Sequence, residues 1–186
     1  MWAFGPTHPT TVVALCYVQV MLHREGKREE SEDAHTRMIE LKSATMKILL
    51  AQNNYKEAEE MQRVIVDLFK EIYGVEHKYT VTSMAPLANL LIKKEELDEA
   101  ESLLRKTVKY IDIVIGPEHR FTQSVLNNLG SALAMQGKRA EAKEIFRLTL
   151  QRKVNALRVG LDDPQVAEAL NNLYSCLEDN QTLYEV

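Results

Sequence analysis

Residues 125–146 read VLNNLGSALAMQGKRAEAKEIF, and their pattern decides the fold. Val125, Leu126, Leu129 and Leu133 recur at the three- and four-residue spacing of a helix with one apolar face. Gly137 and Lys138 interrupt that spacing, and Ala142, Ile145 and Phe146 resume it. Glycine accepts the left-handed backbone that ends a helix, so the stretch predicts a helix, a tight turn and a second helix.

The same phrase recurs along the chain. Glu57-Ala58-Glu59, Glu99-Ala100-Glu101 and Glu141-Ala142-Lys143 lie 42 residues apart, and so do His35, His77 and His119. Gly74 and Gly116 keep this interval, while Gly160 follows after 44 because the last full copy carries two extra residues. Breaks within the helix pairs fall at Gly26, Asn53, Glu95 and Gly137. Glu95 is the residue least suited to left-handed backbone, which predicts a less regular third turn. Second helices should stop at Gly74, Gly116 and Gly160. Pro9 after His8 and Pro164 after Asp163 then set the register, since proline favours the first helical position and the residue before it is the N-cap. The histidine column thus reads as a capping column. Its rival use, a metal site of His35, His77 and His119, would need side chains from repeats roughly 10 Å apart to converge. No metal or other cofactor is expected.

Leu126, Leu129, Gly130, Leu133, Ala142 and Phe146 stand where tetratricopeptide (TPR) repeats place their signature residues. With its 42-residue period and phrases such as Gly116-Pro117-Glu118-His119 and Leu126-Asn127-Asn128-Leu129, the chain resembles the long-repeat class of the kinesin light chains and the repeat tails of STAND-type sensor ATPases. The resemblance implies an all-α, right-handed TPR-type superhelix, an alpha-alpha solenoid of stacked antiparallel helix pairs forming a single domain over 1–186. Its repeats fall at 9–52, 55–73 (a second helix), 78–115, 120–159 and 164–186. The usual late proline of a 34-residue repeat is missing, as a longer second helix would require.

Two places depart from the repeat. Aligning Gly26-Lys27 with Gly137-Lys138 puts Ser31 in the alanine column, yet Ala58 follows after only 27 residues, so the first copy lacks fifteen. Residues 28–52 contain no Gly or Pro and carry Glu29, Glu30, Glu32 and Asp33 at their start, where a helix dipole favours acids. They predict one fused helix of about 25 residues; the in-register His35 supports the alternative of a break there. Pro86, inside the helix expected from Lys78 to about Lys94, predicts a kink or a late start. Phe4-Gly5-Pro6 matches the junction Ile115-Gly116-Pro117, and Leu170-Asn171-Asn172-Leu173 opens a copy without a second helix. The expectation is a segment of a longer array, whose open repeat ends could self-associate.

Composition narrows the function. With 186 residues, 45% hydrophobic and 27% charged, and with few glycines and prolines, the chain reads as a folded helical protein too short for a multidomain enzyme. A formal charge of −4 argues against nucleic-acid binding, although Lys138 to Arg158 holds seven basic residues against two acids. Cys16 and Cys176 fit neither a metal spacing nor a disulfide framework, and no apolar run reaches membrane-spanning length. A cytoplasmic setting follows, in which the sequon at Asn180 carries no weight. No phosphate loop, nucleophile elbow or H-E-x-x-H occurs, and carboxylates such as Glu57, Glu59 and Glu60 read as a solvated helix face. The chain is therefore read as non-catalytic.

One polar stripe stands out. Ser124, Asn127, Asn128 and Ser131 fall at i, i+3, i+4 and i+7, opposite Val125, Leu129 and Leu133. The next copy repeats the face with Glu168, Asn171, Asn172 and Ser175, and the preceding one with Thr82, Ala85, Pro86 and Asn89. Short amides and hydroxyls can bond the main chain of an extended peptide without sequence preference. By the resemblance, this face lines the concave groove. The function expected is a protein-interaction module whose peptide-binding residues are Thr82, Asn89, Ser124, Asn127, Asn128, Ser131, Asn171, Asn172 and Ser175. The alternative is a structural piece of a larger sensor or scaffold. Glu40, Thr82, Ser124 and Glu168 stand where capture of a terminal carboxylate would need basic groups, so an internal segment is the expected ligand.

Overall fold

The computed structural model describes residues 7–158 and 166–176; the features expected at Gly160, Asp163-Pro164 and Asn180, and both ends of the chain, lie outside them. The helices described are α1 Pro9–Arg24, α2 Arg28–Ala51, α3 Tyr55–Tyr73, α4 Lys78–Lys93, α5 Leu97–Val114, α6 Arg120–Met135, α7 Arg139–Leu157 and α8 Ala167–Ser175. Among the described residues there is no strand.

The breaks within the helix pairs share one turn. Gly26, Asn53, Glu95 and Gly137 sit at φ of 73°, 54°, 62° and 77°. In each case the amide of the following residue closes back on a leucine carbonyl. Lys27 N donates to Leu22 O at 3.0 Å, and Asn54, Glu96 and Lys138 donate to Leu49, Leu91 and Leu133 at 2.9 Å. This is the Schellman closure, which satisfies a carbonyl left over at the helix end. The irregular turn expected at Glu95 does not occur. Burial of Leu91 and closure onto its carbonyl impose the left-handed backbone on a residue that does not favour it.

The junctions between pairs are equally regular. Nδ1 of His8, His77 and His119 accepts from the amides of Thr10 (3.2 Å), Tyr79 (3.2 Å) and Phe121 (3.1 Å). Three residues after each of the last two histidines, the buried Thr80 and Thr122 hydroxyls donate to the carbonyls of Gly74 and Gly116, both at 2.7 Å. His35 does not join the capping column, contrary to its register. With fifteen residues lost, α2 runs unbroken from Arg28 to Ala51 and His35 lies in its interior.

The chain packs as two compact units, Met1–Leu90 and Leu91–Val186. In the first, Val12, Cys16 and Val20 of α1 meet Met38 of α2 and Met61, Ile65, Leu68 and Phe69 of α3. A second cluster joins Leu49, Ala58 and Leu90. Pro86 neither delays nor interrupts α4, which starts at Lys78. Proline cannot donate to the carbonyl four residues back, which loosens this turn of the helix. The buried Gln62 side chain braces the turn by donating to Ser83 O at 2.8 Å.

In the second unit, Ala100, Leu104 and Ile111 of α5, Leu126, Leu129 and Leu133 of α6 and Ala142 and Phe146 of α7 are all buried. The alanine column is fully buried, whereas Ala140 is exposed. Small residues let the helices cross closely. A Cβ at Gly130 would stand 2.5 Å from the Phe146 ring, so any larger residue would have to push that ring aside. Leu150, Val166 and Ala169 seat α8 on α7.

Candidate functional site

The polar stripe of α6 keeps one face of the helix, with Ser124 exposed and Asn127, Asn128 and Ser131 half-buried. Ser124 donates its hydroxyl to Arg120 O at 3.2 Å, and on α8 Ser175 donates to Asn172 O at 2.8 Å. On α4, in the first unit, Asn89 is exposed and Thr82 donates to Lys78 O at 2.9 Å. These hydroxyl protons are spent on their own helices, which leaves only lone pairs for a ligand. The amides are different. Asn127 Oδ1 is buried yet has no hydrogen-bond partner among the described residues, and Asn171 is exposed beside a half-buried Asn172. A buried acceptor without a donor costs about 1–3 kcal/mol, so Asn127 Oδ1 is a strained point of the packing, while the exposed Asn171 and the half-buried Asn128 and Asn172 are the amides within reach of a ligand.

The second unit also holds an ion network that links α5 to α7 and to Lys138 at its start. Glu101 of α5 accepts from Arg105 at 2.8 Å and from Lys138 at 2.6 Å, and Arg105 also reaches Glu141 of α7. Lys138, then Arg105, holds the Glu101 carboxyl at a pKa of about 2. Arg152 binds Asp112 with two bonds of 2.7 Å. Two cations of the Lys138–Arg158 run, Lys138 and Arg152, are thereby paired with carboxylates of α5.

The first unit holds a ring cluster at the start of α4. His35 stacks on Tyr79 with centroids 3.9 Å apart, and His77 stacks on Tyr73 at 4.6 Å. His23 meets Tyr73 edge-on, and Phe69 packs against Tyr73 and Tyr79. Gln19 ties the cluster together: its Oε1 lies 3.1 Å from His35 Nδ1, and its Nε2 donates to the Tyr73 hydroxyl at 3.3 Å. Burial, then the nearby Lys42, lowers the His35 pKa to about 4. A sequence signal for the cluster existed: Tyr73 and Tyr79 stand 42 residues before the apolar Ile115 and Phe121. Among the described residues, no group of three or more His, Cys, Asp or Glu could hold a metal ion. Cys16 is fully buried, and burial pushes its thiol up to about 12, a state without nucleophilic power.

Geometry of this kind, with paired helices, left-handed turns and a small-residue crossing, defines a helical repeat protein. Two tetratricopeptide repeat family models match, one over residues 84–153 and one over 47–78, between them more than half of the chain. The chain belongs to the tetratricopeptide repeat proteins, and its α-α solenoid fold is of the kinesin-light-chain type. Similar solved structures include BtubC (BKLC) from P. vanneervenii, with 18% identity, a TM-score of 0.65, and coverage of 93% of this chain and 77% of that one. The nearly identical TPR-like repeats of a kinesin light chain candidate from Podosopora anserina are similar at 17% identity and a TM-score of 0.66, covering 94% and 89%. No curated protein matches the chain. Its repeats indicate a protein–protein interaction module, and among the described residues no helix is long and apolar enough to cross a membrane.

Proposed function

We propose that the chain is a non-catalytic module that binds an extended, internal peptide segment of a partner protein through the amide faces of α6 and α8. The observation that carries this reading is the repeated amide pair on one helix face, Asn127-Asn128 on α6 and Asn171-Asn172 on α8, half-buried except for the exposed Asn171. Asn127, Asn128, Asn171 and Asn172 would hold the peptide main chain, with Ser124, Ser131 and Ser175 offering acceptor lone pairs around them. Thr82 and Asn89 would serve any ligand of α4 in the same manner. Glu168 and Ser124 stand where a terminal carboxylate would demand a cation, which supports an internal segment. The setting proposed is cytoplasmic, with Cys16 and Cys176 kept as thiols.

The test uses peptides selected from a random-sequence library on the whole chain, measured by calorimetry with free and amidated C-termini. Asn127→Ala with Asn128→Ala should weaken binding at least ~10-fold, about 1.4 kcal/mol, with helicity unchanged. Amidation should change little. Binding that is lost on amidation but survives the double substitution would refute the assignment.

A further inference from the structure

A second surface, on the first unit, has a different chemistry. Along α1, Leu15, Val18 and Leu22 form a stripe at helical spacing, and Ala34 of α2 closes the floor beside it. Together they enclose a groove of about 420 Å³. Val18 is 44% exposed, so the stripe presents apolar surface to solvent. The α2 rim of the groove carries three carboxylates, Glu29, Glu30 and Asp33, against the one cation Arg37. Glu29 and Glu30 line it with no ion pair among the described residues, and Asp33 is shared with Arg37 at 3.0 Å. The carboxylates suit the start of a helix, so dipole stabilisation accounts for their presence at that end. It does not account for the apolar stripe they overlook.

We propose that this groove docks a cationic amphipathic helix of a partner protein. Leu15 to Leu22 spans two helical turns, about 10 Å, which matches the i, i+3, i+7 face of a helix laid between α1 and α2. Apolar residues of the partner would cover Val18 and Leu22, while its lysines or arginines would meet Glu29 and Glu30, Asp33 being paired with Arg37. The surface is independent of the α6 and α8 amides, and its ligand is recognised by apolar contact and charge rather than by main-chain bonding.

The probe is an 18-residue Leu/Lys peptide patterned as an amphipathic helix, compared with a permuted peptide of the same composition that lacks the pattern. Anisotropy should show binding of the patterned peptide that weakens with salt. Glu29→Lys with Glu30→Lys should reduce affinity at least ~10-fold. Val18→Ser, an exposed change that leaves the charges alone, should also weaken it, and Asn127→Ala with Asn128→Ala should have no effect. Equal binding of the permuted peptide would reduce the surface to plain electrostatics and overturn the proposal. So would undiminished binding by the Val18→Ser and charge-reversed chains, or sedimentation showing that a second copy of the chain occupies the groove.

Discussion

Glu95 shows how a single residue can carry the cost of a shared turn. Its φ of 62° lies in the left-handed region that Gly26 and Gly137 enter freely at 73° and 77°, with the same closure onto a leucine carbonyl. A non-glycine residue in that region loses roughly 1–2 kcal/mol to the clash of its Cβ with the following carbonyl. Glu95→Gly should therefore raise the stability of the chain by about 1 kcal/mol, after the entropy that glycine adds to the unfolded chain is deducted. Thermal melts read this as a higher midpoint; a lower midpoint would mean that the carboxylate itself supports the turn. The threonines after the capping histidines act at the same scale. Thr80 and Thr122 seal their junctions by bonding glycine carbonyls that the helices leave open.

At the scale of the helix pair, stability depends on close crossing. Ala100 of α5 and Ala142 of α7 are fully buried, and Gly130 of α6 lies against the ring of Phe146 of α7. Ala142→Leu or Ala100→Leu should destabilise the chain by about 1–3 kcal/mol through overpacking, while the exposed Ala140→Leu should be nearly neutral. Denaturant titration of the three variants separates them, and equal midpoints would contradict the pairing of α6 with α7. The fused helix α2 follows from the same logic. A deletion of fifteen residues leaves no room for a turn, and a run without glycine or proline stays helical through His35. The residue that would have capped a helix instead lies among aromatic rings.

For the whole molecule, pH provides a readout of each unit separately. In the first unit, burial lowers the His35 pKa from 6.5 to about 4, so between these values the unfolded chain binds a proton that the folded chain refuses. His35 thus favours the folded state fully above about pH 6.5, and this contribution falls away as the pH drops toward 4. In the second unit, the Glu101 pKa falls from 4.5 to about 2, so its contribution is present above about pH 4.5 and is lost as the pH falls toward 2. Hydrogen exchange across this range should show α1–α3 losing protection first and α5–α7 later. His35→Phe should flatten the upper window and Glu101→Gln the lower one. A first loss in α5–α7 would contradict the assignment.

Much of this was legible in residue order alone. The 42-residue columns, the glycine and asparagine turns, the buried alanines and the capping roles of His8, His77 and His119 are local matters, set by backbone conformation and one-sided burial within two or three turns of chain. The same locality explains why α2 could be read as one helix and yet His35 was misplaced: its register belonged to a start that the deletion had removed. What the order could not carry was contact between distant residues. The brace of Gln62 on the Pro86 turn, the tie from Gln19 to His35 and Tyr73, and the sharing of Glu101 between Arg105 and Lys138 depend on which faces come together after packing. The amide stripe of α6 was visible as a spacing, but only the packed structure distinguished Asn127, whose buried carbonyl lacks a donor, from Ser124, which spends its proton on its own helix. Helical periodicity determines which residues share a face; tertiary packing decides what that face meets and which of its polar atoms remain unpaired.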